Sequence, residues 1–135
     1  MRARTWLAAA TMLVVAGLVI GNCRFVGYDP GRIATSAGPR WDSARVVGER
    51  RLLVSFLGGR PTDRPRACAP TYSASVRKTA TEIVIRLRAR EFRPLRGSSC
   101  VDIGYPHTIS VQLARPVGDR IVRDGQTGEV KDVAR

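Results

Sequence analysis

The stretch Glu82-Ile83-Val84-Ile85-Arg86-Leu87-Arg88-Ala89-Arg90 decides the fold class of this chain. Ile83, Ile85, Leu87 and Ala89 alternate with Val84, Arg86, Arg88 and Arg90. Successive side chains of a strand point to opposite faces, so this run has one dry face and one wet, arginine-lined face. Upstream, Tyr72, Ala74 and Val76 alternate with Ser73, Ser75 and Arg77. Lys78-Thr79-Ala80-Thr81 separates the two runs and supplies a turn. The pair reads as an antiparallel hairpin. Cys68 precedes its first arm and Cys100 follows its second, so the hairpin brings the two cysteines together and predicts a disulfide.

Further strands flank the hairpin. Residues 45–57 turn apolar and end in a strand with Leu52, Val54 and Phe56 on one face. Downstream, Ile109, Val111 and Leu113 alternate with Ser110, Gln112 and Ala114. Arg120–Arg123 is a short strand, Asp124–Gly128 a turn, and Glu129–Val133 the returning arm of a second hairpin. No helical period occurs after residue 24. Several short strands with one disulfide predict an all-β domain over residues 45–133, built as a small antiparallel β-sandwich or open barrel. Residues 24–44, with Pro30-Gly31 and Gly38-Pro39, read as a linker.

Ahead of the linker, residues 6–23 carry no charge and follow Arg2 and Arg4 in the n-region 1–5. A helix rises about 1.5 Å per residue, so such a run nearly spans a bilayer. The positive-inside rule keeps residues 1–5 in the cytoplasm and sends the remainder outside. Three readings stand. The first, adopted here, is a transmembrane signal anchor flanked by Trp6, Phe25 and Tyr28. The second is a signal peptide cut before Asn22. The third is a lipoprotein acylated on Cys23, although Asn22 stands where a lipobox needs a small residue. The expected location is a bacterial cell membrane with the C-terminal domain outside.

The chain has 135 residues and a formal net charge of +12. All eleven acidic residues and all basic ones except Arg2 and Arg4 follow the apolar run. Lys78 and Lys131 are the only lysines. Such an arginine bias fits a GC-rich genome as well as a binding role. Topology turns this charge away from nucleic acid and toward anionic envelope polymers, lipid headgroups or an envelope protein. Outside the cytoplasm, oxidising conditions also favour pairing of Cys68 with Cys100. Metal ligation is disfavoured, because no Cys-x-x-Cys pair exists and His107 is the only histidine.

The run Leu113-Ala114-Arg115-Pro116-Val117-Gly118-Asp119-Arg120-Ile121-Val122-Arg123-Asp124, followed by Thr127-Gly128, resembles a C-terminal signature of small exported or membrane-anchored actinobacterial proteins. The resemblance covers residues 68–130. It implies export and a β fold, and it implies no reaction. Physically, Pro116 and Gly118 turn the chain, while Arg120 and Asp124 are placed to pair across the turn or to hold loop backbone. A structural role is the expectation for Leu113, Pro116, Gly118, Asp119, Arg120 and Asp124.

Candidate chemistry is sparse. Ser98, Ser99, Asp102 and His107 contain the residue types of a hydrolytic triad, but no Gly-x-Ser-x-Gly elbow presents a nucleophile. Asp119, Asp124 and Glu129 lack the ligand spacing of a calcium loop. No phosphate-cradling glycine loop and no cofactor motif occurs. The patch with a physical case is Arg86, Arg88 and Arg90, with Arg77 on the neighbouring strand. Guanidinium groups bind phosphate and carboxylate bidentately, so this face suits an anionic ligand. The expected function is a non-enzymatic, membrane-tethered interaction module. A small envelope hydrolase using His107 is the alternative.

Overall fold

The computed structural model describes residues 31–97, 99–101 and 103–135. The expected membrane segment, Cys23, Ser98 and Asp102 lie outside the described residues. Those described form nine strands: β1 (Arg32–Ala37), β2 (Ser43–Val46), β3 (Arg51–Gly58), β4 (Thr71–Lys78), β5 (Glu82–Arg93), β6 (Tyr105–Gln112), β7 (Ile121–Asp124), β8 (Val130–Lys131) and β9 (Val133–Ala134). They make two sheets, one of β1, β4, β5, β7 and β8, the other in the order β6-β3-β2-β9.

The long strand β5 organises the first sheet. β4 covers one edge, pairing antiparallel from Thr71↔Arg90 to Lys78↔Ile83. Two strands share the other edge. β7 lies along Glu82–Ile85 and β1 along Arg88–Arg93. Gln126 bridges the join between them, its side-chain amide donating to the carbonyls of Leu87 (2.8 Å) and Gly38 (3.0 Å). The alternation of β5 sends Ile83, Ile85, Leu87 and Ala89 inward. There Ile83, Ile85 and Leu87 meet Leu52, Val54, Phe56, Val111 and Val122 in one core. Burial of such side chains contributes roughly 1.5–3 kcal/mol each.

Two expectations are corrected. The sandwich is mixed rather than purely antiparallel, since β5 pairs parallel with β7 and β2 pairs parallel with β9. Geometry explains the first case. β6 ends beside Arg51, the Leu113 N–H donates to the Arg50 carbonyl, and the Ile121 N–H donates to the Thr81 carbonyl just ahead of β5. β7 therefore starts beside Glu82 and runs the same way. In addition, residues 31–44 are not simply a linker. They supply β1 and the start of β2, with Trp41 fully buried between them. Its indole N–H donates to the Ile85 carbonyl at 3.1 Å, so the crossing from one sheet to the other is pinned inside the core. Residues 31–44 therefore belong to the folded domain.

The apolar tract expected as a strand within 45–57 divides into β2 and β3 around Gly48. Its φ of +68° is a conformation glycine adopts without steric cost.

Candidate functional site

The outward face of β5 carries Val84, Arg86, Arg88 and Arg90. Its partners across the ladder are short: Ser75 faces Arg86, Ser73 faces Arg88, and Thr71 faces Arg90. Ala37 and Thr35 flank Arg88 and Arg90 on the other side. Long arginine side chains therefore stand over a low floor. A shallow cleft of about 410 Å³ opens along this face, lined by Ser75, Arg77, Val84, Arg86, Arg88 and Arg123.

The arginines have different duties. Arg86 donates through Nε (2.9 Å) and Nη2 (2.7 Å) to the Gly125 carbonyl, tying the β7–β8 turn onto β5. Gly125 is required there, because a Cβ would sit 2.9 Å from the Cβ of Arg86. Arg123 pairs with Glu82 at 2.6 Å and also donates to the Gly128 carbonyl. Arg77 approaches the same Glu82 at 3.9 Å from an exposed position. Arg88 and Arg90 are exposed and pair with no carboxylate among the described residues. The cleft thus gathers four guanidinium groups, of which Arg77 and Arg123 share Glu82, while the lining carboxylate Asp124 is fully buried.

Of the residues singled out in the sequence, Arg77, Arg86 and Arg88 converge on this cleft. Arg90 shares the face but lies beyond the cleft lining, about 13 Å along the strand from Arg86. Arg123 is the member that the sequence pattern missed. It enters because the parallel register sets Arg123 beside Val84. Nothing local in the sequence signals a pairing across so many intervening residues.

The resemblance motif lies elsewhere. Leu113 and Val117 are buried, Pro116 and Asp119 are exposed, and Gly118 takes φ +57°. Arg120 donates to the carbonyls of Arg115 (3.1 Å), Pro116 (2.6 Å) and Val117 (3.2 Å). Asp124 is fully buried, accepting the N–H groups of Trp41 (3.1 Å) and Gln126 (2.7 Å). Arg120 and Asp124 each hold backbone and do not pair with one another. Among the described residues, no three of His, Cys, Asp or Glu gather as a metal site requires.

His107 sits at the rim of the core. Its ring stacks on Phe56 (centroids 5.2 Å apart) and meets the edge of Tyr72 (5.0 Å). Its Nε2 lies 2.6 Å from the Gly59 carbonyl, so Nε2–H donates there, while the Gly59 N–H donates to the Tyr72 hydroxyl at 2.6 Å. Both polar groups of Gly59 are thereby held. The nitrogen that a hydrolytic base would use toward a serine is engaged with backbone.

Cys68 and Cys100 form the disulfide, with Cα atoms 5.3 Å apart, and it joins the loops before β4 and after β5. Comparison of the chain with protein-family models, with curated proteins and with solved structures finds no match.

Proposed function

We propose that this protein is a membrane-tethered extracytoplasmic β-domain that works by binding, and that the arginine cleft on β5 receives an anionic group of an envelope polymer. The observation that carries this reading is the imbalance at the cleft: of its four arginines, only Arg77 and Arg123 have a carboxylate partner among the described residues, the shared Glu82, while Asp124 in the lining is fully buried and held by backbone N–H groups. Paired guanidinium forks match the oxygen spacing of phosphate and carboxylate. Arg86 and Arg123 are already oriented by backbone carbonyls, which lowers the entropy cost of engaging a ligand. The uncharged run at 6–23 supports the tether.

The test uses the full chain in detergent micelles, with polyphosphate and polyglucuronate as phosphate and carboxylate probes. Arg77→Ser with Arg88→Ser removes the two cleft arginines that anchor no loop. Binding is expected to weaken at least tenfold while the thermal transition stays in place. Unchanged affinity for both probes overturns the reading.

A further inference from the structure

One end of the sandwich has a composition unlike the rest. β1 starts beside Arg93, β4 starts beside Arg90, and β3 ends beside Tyr105. Gly31, the loop 59–70, the described residues between β5 and β6, and the disulfide are therefore all at this end. Five of the seven exposed large hydrophobic residues among those described are here too: Ile33, Leu57, Leu95, Val101 and Ile103. Val101 is 79% exposed. Leu57, Val101 and Ile103 rim a hollow of about 660 Å³ beside the disulfide. Exposed apolar residues concentrated in this way mark an interaction surface, whereas single ones do not.

Charge surrounds the apolar tip. Arg32, Arg60, Arg64, Arg66, Arg93 and Arg96 are all exposed around it. Asp63 and Glu91, the carboxylates described there, already pair with Arg66 and Arg93. Arg32, Arg60, Arg64 and Arg96 have no carboxylate partner among the described residues.

We infer that this end docks on an anionic bilayer surface, with Leu57, Val101 and Ile103 entering the headgroup region and the arginine rim pairing with lipid phosphates. The inference rests on the tethered reading proposed above. Chain direction selects the occupant. Residues 24–30 reach at most about 25 Å when extended, so a span ending at Cys23 keeps the Gly31 end close to the bilayer. The strands then stand away from the surface, and the arginine cleft on β5 stays open to the side.

The full chain is reconstituted into phosphatidylcholine vesicles with or without phosphatidylglycerol, carrying a benzophenone side chain at Val101 or at Ile121. Ile121 is an exposed hydrophobic at the far end. Lipid adducts are expected at 101, several-fold above those at 121, and to fall when phosphatidylglycerol is omitted or when Arg60, Arg64 and Arg96 become Ser. If the chain survives alkaline carbonate washing but labels equally at 101 and 121, the docking inference fails and the tether stands. Labelling at 101 indifferent to phosphatidylglycerol overturns the anionic-lipid assignment. Loss of the chain on washing overturns the tether and the docking together.

Discussion

Trp41 and Asp124, 83 residues apart in the chain, meet in the core, where the Trp41 backbone N–H donates to Asp124 Oδ2 at 3.1 Å. The other carboxylate oxygen accepts from Gln126 N–H at 2.7 Å. A fully buried carboxylate is tolerated only when hydrogen bonds replace its hydration. Asp124 therefore locks the sheet-to-sheet crossing to the β7–β8 turn. Asp124→Ala leaves a buried and a part-buried N–H group unpaired and is expected to cost about 3 kcal/mol. Asp124→Asn is expected to cost less, about 1–2 kcal/mol, because its amide retains one acceptor. Urea denaturation of the two variants checks the order, and equal stability for all three proteins would contradict the lock.

The Cys68–Cys100 bridge closes a loop with a sequence separation of 32. In the chain-entropy model this contributes about 3–4 kcal/mol by restricting the unfolded chain. Replacing both cysteines with Ser is expected to lower the unfolding free energy by that amount. The two loops it joins also carry Leu57's neighbours in the apolar hollow, so faster amide exchange at 59–70 and 99–101 should accompany the loss. A double variant as stable as the parent, with unchanged exchange, argues against a structural bridge.

The parts of the fold legible in the sequence share one property, a local signal. In β5, Ile83, Ile85, Leu87 and Ala89 announce a dry face within nine residues. The β4–β5 hairpin follows from the turn between its arms, and so does the β7–β8 hairpin, although of the expected returning arm Glu129–Val133 only Val130–Lys131 pairs with β7, while Val133 joins β9 beside β2. The parts that stayed hidden depend on distant partners. In β1, Arg-Ile-Ala-Thr-Ser-Ala alternates weakly, because it is an edge strand whose outward residues face solvent. Pro39 and Gly38 beside it look like linker chemistry, yet they bend the chain so that Trp41 reaches the core. The site was split in the same way. Arg77, Arg86 and Arg88 lie on one hairpin and were readable together, whereas Arg123 joins them only through a parallel register.

His107, Phe56 and Tyr72 form an aromatic cluster that seals the core beneath Gly59. His107→Ala removes a ring stack and the bond to the Gly59 carbonyl, and is expected to cost about 2–3 kcal/mol. Tyr72→Phe loses only the hydroxyl acceptor of the Gly59 N–H, at about 1 kcal/mol. Thermal unfolding of both variants measures the difference. A hydrolase role makes the opposite prediction, namely that an esterase or amidase activity of the parent disappears in His107→Ala while stability is untouched.

Adjacent residues in the resemblance motif should behave very differently. Arg120 clasps the carbonyls of Arg115, Pro116 and Val117, whereas Asp119 is exposed and forms no ion pair among the described residues. Arg120→Met is expected to destabilise by about 1–2 kcal/mol, since charge-assisted bonds to the loop are lost. Asp119→Ala should stay within about 0.5 kcal/mol of the parent. Gly118→Ala forces a side chain into φ +57° and should cost about 1 kcal/mol. A loss at Asp119 as large as that at Arg120 indicates a contact outside this loop.

The ion pair of Glu129 and Lys131 provides a test by pH. The Lys131 ammonium donates to Glu129 Oε2 at 2.7 Å, and this bond, with the charge of Lys131 and a smaller contribution from Arg40, holds the Glu129 carboxyl below the usual glutamate range. Lys131 is itself kept in place over the Trp41 ring, 5.8 Å from its centroid. A depressed folded-state value means that the pair's contribution is present above the unfolded-state value and disappears as pH falls through the folded one. The relevant window is therefore acidic, at and below the ordinary glutamate range. Because Glu129 is exposed, the titration itself is the quantity to read. In Lys131→Met the Glu129 side-chain carboxyl, followed by NMR, is expected to titrate at a higher pH than in the parent. Coincident titration curves would show that Lys131 does not hold the carboxylate.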